Sequence, residues 1–268
     1  MNLTPTIREH SAEIIKDFIR SKIREGGSDG AVIGLSGGLD SCVVSKICAD
    51  SLGARNVLCL IMPSVTTCRR DISDALEFSD KLGVRSVQIN IGSVVSEFMK
   101  LKKNCTDRTV LGNVTARVRM TLLYMYANSD NLMVIGTGNK SELLTGYFTK
   151  FGDGGVDCLP IGDLYKTQVR ELAREICIPD HIIQKTPTAG LWRGQTDESE
   201  LGVSYEKLDK ILYGIELGLS DPDIHDRTGL PLKTIASIRR RVVRSAHKRK
   251  TPAIPKLGIR TIGADWRE

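Results

Sequence analysis

An alternation in the first half of the chain constrains the fold most. Ala31-Val32-Ile33-Gly34-Leu35 is a short apolar run with no polar residue inside it. Such a run suits a strand buried on both faces, as in a parallel sheet. A Gly-rich turn and a helical stretch, Cys42 to Leu52, follow it. Asn56 to Met62 reads as a second strand, Asp71 to Leu82 as a helix and Val84 to Ile89 as a third strand. Helical stretches around Val94 to Leu101 and Asn113 to Ala127 lead into a fourth strand, Leu132 to Ile135, and then Gly136-Thr137-Gly138. This order predicts an α/β fold, a Rossmann-like parallel sheet with helices on both faces. Ligands of such sheets bind at the carboxyl ends of strands. Both Gly-rich turns directly follow strands and are placed to share one site.

The flanks are helical. Ile7, Ser11, Ile14, Ile15, Phe18, Ile19 and Ile23 recur at helical spacing, which predicts a helix over residues 5–25. Thr4 would cap it, Pro5 would take the first helical position, and Gly26-Gly27 would end it. After Gly138 the strand pattern fades. Thr145 to Gly155 reads as a Gly-rich loop, Tyr165 to Ile176 as a helix and Pro179 to Glu200 as irregular. Val203 to Ile215 and Leu232 to Ser245 read as helices. Without repeats or a low-complexity linker, residues 1–268 are expected to form one domain. Its α/β core covers about residues 30–178 and its helical C-terminal part about residues 200–250.

Composition excludes several classes. Hydrophobic residues make up 41% and charged residues 26%, values of an ordinary soluble globular protein. No apolar run is long enough to span a bilayer, and the charged N-terminus is not a signal peptide. The seven cysteines are odd in number and form no CxxC pair, which predicts small buried thiols in a reducing compartment, the cytoplasm. Net charge is +6, gathered mainly between Arg239 and Lys250, less than a chain-wide nucleic-acid footprint would need.

The segment with the clearest chemistry is Gly34-Leu35-Ser36-Gly37-Gly38-Leu39-Asp40-Ser41. Its glycines allow a tight turn that aims successive N–H groups inward, and the following helix adds unpaired N–H groups and a partial positive charge. Ser36 and Ser41 are candidate hydroxyl donors. The result is a cradle for pyrophosphate, distinct from a Walker A loop because GxxxxGK[ST] is absent. Asp40 would repel phosphate unless it held a divalent metal, and Mg²⁺ is the usual bridge.

Ser36-Gly37-Gly38-Leu39-Asp40-Ser41 resembles the SGGxDS loop of the PP-loop ATP pyrophosphatases, which cleave ATP between the α- and β-phosphates. Further segments narrow the likeness to NAD synthetases. They are Asn113-Val114-Thr115-Ala116-Arg117-Val118-Arg119-Met120, Gly136-Thr137-Gly138-Asn139-Lys140-Ser141-Glu142, Gly146 to Gly155, Pro187 to Trp192, Gln195-Thr196-Asp197-Glu198 and His247-Lys248-Arg249. The resemblance implies a fold of the adenine nucleotide α-hydrolase type and a ligase forming a C–N bond. In that reaction ATP adenylates the nicotinate carboxylate of nicotinic acid adenine dinucleotide (deamido-NAD), and ammonia then displaces AMP. It also implies roles by position. Gly34, Leu35, Ser36, Gly37, Gly38, Leu39, Asp40 and Ser41 would bind ATP, with Thr137, Lys166 and Thr188. Asp40 and Glu142 would hold Mg²⁺. Arg117, Lys150, Asp157, His247 and Lys248 would bind deamido-NAD, and Asp40 and Lys150 would be catalytic. A homodimer with substrate sites at its interface is implied, with mobile loops near Lys150 and Gln195. Gly138-Asn139-Lys140-Ser141 departs from the Asp-His pair of many bacterial members, while Glu142 keeps its offset. With the loop starting near residue 34, a preceding glutaminase domain has no room, so free ammonia is the expected donor.

Bland readings stand beside these. Glu142 on a helix face would ordinarily be a solvated charge. Arg117 and Arg119, two apart, cannot share a helix face, so one of them is expected to be structural. The basic stretch Arg239-Arg240-Arg241, Arg244, Lys248-Arg249-Lys250 also motivates a PP-loop tRNA-modifying enzyme. Asp226 to Arg244 has the look of a helix–turn–helix.

Overall fold

The computed structural model describes residues 3–102, 106–192 and 194–262; Cys105 lies outside them. Strands β1 (Gly30–Gly34), β2 (Val57–Ile61), β3 (Arg85–Gln88) and β4 (Leu132–Ile135) form a parallel sheet in the order β3-β2-β1-β4. Val32 pairs with Leu58 on one side and with Val134 on the other. Beyond β4, Asp157 N–H donates to Val134 O (3.0 Å) and Gly136 N–H to Cys158 O (2.9 Å), so residues 157–158 continue the sheet by one rung.

The apolar runs are unbroken because successive side chains enter two different layers. Ala31, Ile33, Val57, Cys59 and Ile61 pack into one core. It is covered by α1 (Ser11–Glu25), α2 (Leu39–Leu52), α3 (Arg69–Leu82) and α7 (Lys166–Glu175). Val32, Leu58, Leu60 and Val134 face the other core, beneath α4 (Gly92–Lys100) and α5 (Arg108–Asp130). The C-terminal part, α10 (Tyr205–Glu216), α11 (Asp221–Thr228) and α12 (Leu232–Arg244), has a third core of Leu208, Ile211, Leu212, Ile224, Ile235 and Ile238.

The N-terminal expectation is corrected. Helix α1 starts at Ser11, after His10 in the left-handed region (φ 60°). Residues 3–8 are outside any helix or strand: Leu3 is buried in the C-terminal core and the Ile7 N–H donates to Glu171 Oε2 (3.2 Å). The buried stripe is Ala12, Ile15, Ile19 and Ile23, whereas Ile14 is 61% exposed. Four short polar helices lay outside the periodic pattern: α6 (Lys140–Thr145), α8 (Asp180–Ile183), α9 (Asp197–Leu201) and α11. Capping boxes at Asn139/Glu142 and Ser220/Asp223 mark two of them and were legible signals. Cys42, Cys48 and Cys59 are buried as expected, but Cys68 and Cys177 are exposed and Cys158 is half-buried.

Much of the basic C-terminal stretch serves the fold. Arg239 binds Asp221 Oδ1 (2.6 Å) and Leu219 O (2.7 Å), and Arg249 Nη1 donates to Leu143 O and Leu144 O (both 2.9 Å). Arg239 thus binds a carboxylate and a loop carbonyl, and Arg249 satisfies last-turn carbonyls of α6, which weakens the nucleic-acid readings.

Candidate functional site

Strands β2 and β4 flank β1 on opposite sides, so the chain order reverses at the carboxyl end of β1, where open α/β sheets bind ligands. A cavity of about 810 Å³ opens there, lined by both Gly-rich turns. The turn after β1 is fixed by its own chemistry. Gly37 has φ 75°, and a Cβ on it would lie 2.3 Å from Asp71 O, so glycine alone fits. Gly38 caps α2, whose first-turn amides have no intrahelical acceptor. Ser36 and Ser41 are engaged with the loop itself. Their hydroxyls lie 3.0 Å apart, and Ser41 Oγ accepts from Ser36 N–H (3.2 Å) and donates to Gly38 O (3.0 Å). Lys185, which the sequence did not single out, ties the loop to α3. Its Nζ donates to Gly37 O (2.8 Å) and pairs with Asp71 (2.9 Å) and Asp74 (2.6 Å).

Deeper in the cavity, three carboxylates surround one lysine. Asp40, in the first turn of α2, accepts from Lys166 Nζ and from Asn139 Nδ2 (3.4 Å). Glu142, in the first turn of α6, lies 3.8 Å from Lys166 Nζ through Oε1 and accepts from Asn139 N–H (3.1 Å) through Oε2. Burial first, and then the Asp40 charge, push the Glu142 carboxyl up to about 8. Burial alone would lower the Lys166 ammonium, but Asp40 and Glu142 hold it above its ordinary value. Asp197, 4% exposed, accepts from Tyr205 Oη (3.0 Å) through Oδ2. Its Oδ1 is buried without a hydrogen-bond partner, and burial raises its pKa.

This balance bears on a metal. Three acids gather about one lysine, two of them with raised pKa, and an orphaned carboxylate oxygen stands among them. Among the described residues, no group of three or more His, Cys, Asp or Glu is arranged to hold a metal by itself. Two carboxylates completed by phosphate oxygens are how Mg²⁺ is ordinarily held, and Asp40 with Glu142 fits that donor set. Asp197 lay inside a quoted motif without a role; its place behind the Thr196 cap was the available signal.

The remaining expected residues divide. Thr137, Thr188 and Lys248 line the cavity. Lys248 Nζ donates to Gly146 O (2.7 Å) and Phe148 O (2.6 Å), and burial lowers its pKa. Arg117, Lys150, Asp157 and His247 are not among the lining residues, but each is next in the chain to one that is, Ala116, Thr149, Val156 or Lys248, and in this sense they form an outer rim. Exposed Arg117 donates to Lys150 O (3.2 Å), and Lys150 Nζ donates to His247 O (2.9 Å). Asp157 accepts from Val134 N–H and Tyr124 Oη, both at 2.8 Å. Tyr124 is seven residues after Arg117, so the two share one face of α5, and Asp157 is bound to that face through Tyr124. Arg119, on another face of α5, lines the cavity instead and donates to Met62 O (3.2 Å). Asn139 and Lys140, at the departure from the bacterial pattern, are accounted for. Asn139 caps α6, and Lys140 binds Glu216 (2.7 Å) and Asp163 (3.0 Å).

A family model described as NAD synthase matches residues 11–252. The chain is 46% identical over 256 residues to an NH(3)-dependent NAD(+) synthetase of Methanococcoides burtonii, covering 95% of this chain and 97% of that one. Among solved structures, an NMN synthetase from Francisella tularensis superposes with TM-score 0.83 at 36% identity, covering 93% of this chain and 98% of that one. An NH3-dependent NAD synthetase from Campylobacter jejuni gives 0.79 at 35%, covering 92% and 98%.

Proposed function

The chain belongs to the NAD synthase family, and on that premise we propose that it is an ammonia-dependent ligase that converts deamido-NAD to NAD with ATP. One observation carries this reading: the SGGxDS loop, Asp40, Glu142 and Lys166 converge on a single cavity at the carboxyl end of the central strand.

The roles follow from charge and position. Residues Gly34 to Ser41 hold the β,γ-phosphates on loop and helix amides, with Lys166 neutralising charge and Thr137 and Thr188 contacting ATP. Asp40 and Glu142 would hold Mg²⁺, which when bound would supply positive charge against the phosphates. The nicotinate oxygen then attacks the α-phosphorus, the bond to the β-phosphate breaks, and pyrophosphate leaves. Ammonia adds to the acyl carbon, AMP departs with its electron pair, and the nitrogen loses a proton. The chain contributes mainly alignment and charge neutralisation in a recess that limits water.

Lys248 reaches deamido-NAD from the cavity wall. Arg117, Lys150, Asp157 and His247 form the dinucleotide-binding rim, which suits a homodimer whose second subunit covers that face. Val110 and Met125 on α5, 38% and 54% exposed, support such a contact. Buried free thiols such as Cys42 and Cys48 suit the cytoplasm. Among the described residues, no helix is long and apolar enough to cross a membrane.

The test supplies ATP, Mg²⁺ and deamido-NAD with ammonium or with glutamine. NAD, AMP and pyrophosphate should form with ammonium only; release of ADP in place of AMP would overturn the reading. The likeness to an NMN synthetase makes nicotinic acid mononucleotide the competitor to run alongside, with deamido-NAD expected to give the higher kcat/KM.

A further inference from the structure

Asp209 belongs to α10, in the helical C-terminal part, and is fully buried. It does not line the cavity. Its Oδ1 accepts from Ser141 Oγ (2.5 Å), and its Oδ2 accepts from the Thr167 backbone N–H (2.9 Å). Ser141 Oγ accepts in turn from the Lys166 N–H (2.9 Å). A buried carboxylate is costly, and its direct partners here are a hydroxyl and an amide, not a cation. Their location explains what the charge does. Lys166 and Thr167 open α7, where backbone amides lack intrahelical acceptors and an anion is favoured. Ser141 lies in the first turn of α6, beside Glu142. One anion therefore ties together the first turns of the two helices that deliver Glu142 and Lys166. One turn earlier on the same face of α10, Tyr205 donates to Asp197, and Lys166 Nζ lies 5.3 Å from the centre of its ring.

We propose that Asp209 is a positioning residue for the nucleotide. By holding Ser141 and Thr167 on one buried carboxylate, it sets the spacing between Glu142 and Lys166 and so the geometry of the seat for a divalent-cation complex of a nucleoside triphosphate. This rests on the reading that Lys166 and Glu142 serve ATP, and the test separates the two.

Mg·ATP binding is measured by calorimetry on the full chain without the second substrate, for the parent, Asp209→Asn, Ser141→Ala, the double variant and Lys166→Met as reference. Thermal midpoints and KM values for both substrates accompany it. Asp209→Asn should weaken Mg·ATP binding about tenfold. KM for ATP should rise, while KM for the dinucleotide stays within about twofold of the parent. Ser141→Ala should act in the same direction, and the double variant should be no worse than the stronger single. A purely structural role predicts a lowered midpoint with both KM values unchanged or raised together. Should Asp209→Asn not fold, Ser141→Ala alone decides, since it cuts the α6 arm and leaves Thr167 capped. Parent-like Mg·ATP binding in Asp209→Asn and Ser141→Ala, with loss in Lys166→Met, overturns this inference alone. Parent-like binding in Lys166→Met as well brings down the role of Lys166 and this inference with it.

Discussion

The phosphate end of the cavity and the outer rim are built in opposite ways. At the phosphate end, Lys166 and Asp197 are almost fully buried, and Asp40 and Glu142 are largely so. Each is held by partners from other elements: α2, α6, α7 and α10 all contribute. At the rim, Arg117 is exposed and the ammonium of Lys150 meets a backbone carbonyl and the face of the Phe151 ring. Buried polar groups that face one another fix a geometry in advance, which transfer of an adenylyl group would require. Exposed long side chains keep their rotamer freedom until a ligand or a second surface orders them. Under the proposed function, the nucleotide would meet a preorganised seat, and the second substrate would meet groups that a partner would complete.

The contrast can be broken first at its centre. Lys166→Met removes the one cation between Asp40 and Glu142, and pyrophosphate release should fall on the order of 10²–10³-fold. A drop of less than tenfold would show that the lysine is not an electrostatic partner of the phosphates. Gly37→Ala should come next, because a Cβ would lie 2.3 Å from Asp71 O at φ 75°. The strain, about 1–3 kcal/mol, should appear as weaker ATP binding together with a lower thermal midpoint. Arg117→Ala and Lys150→Ala sharpen the other side. Each should raise KM for deamido-NAD about tenfold, the size of one lost charged hydrogen bond, and leave ATP affinity and thermal midpoint unchanged. A loss of ATP binding in either variant would erase the distinction between seat and rim.

The smallest effect concerns pH. The folded-state pKa of Glu142 is raised from the usual carboxylate range to about 8. The folded chain therefore binds this proton more tightly than the unfolded chain. The stability tied to it is complete below the ordinary carboxylate pKa and is lost as pH rises toward 8. Without metal, the thermal midpoint should fall by about 2–4 °C for each kcal/mol lost across that window, and Glu142→Gln should flatten the slope. Mg·ATP affinity should rise over the same window, since the metal needs the ionised carboxylate. A midpoint that climbs from pH 5 to 8 in the parent and in Glu142→Gln alike would contradict the assignment.

The sheet and the phosphate loop were legible for local reasons. A strand buried on both faces must be apolar at every position, so β1 and β2 announce themselves as unbroken runs. Gly37 was readable because a left-handed turn under a neighbouring carbonyl admits glycine alone. The start of α1 was misread. Pro5 offers a good helical start, but burial of Leu3 in the distant C-terminal core keeps the chain out of the helix until Ser11.

Other features are set by contacts between residues far apart in the chain. Spacing shows that Arg117 and Arg119 point in different directions; packing of α5 on the sheet puts Arg119 in the cavity and Arg117 on the rim. Lys185 reaches Gly37 across 148 positions, Lys166 reaches Asp40 across 126, and Asp209 reaches Ser141 across 68. By itself the sequence determined the parallel sheet and the Gly-rich loop, because these depend on periodicity and backbone sterics within a few residues. Tertiary structure alone decided which charges are buried together and which face outward, because a charge's worth depends on the dielectric and the partners that the completed fold places around it.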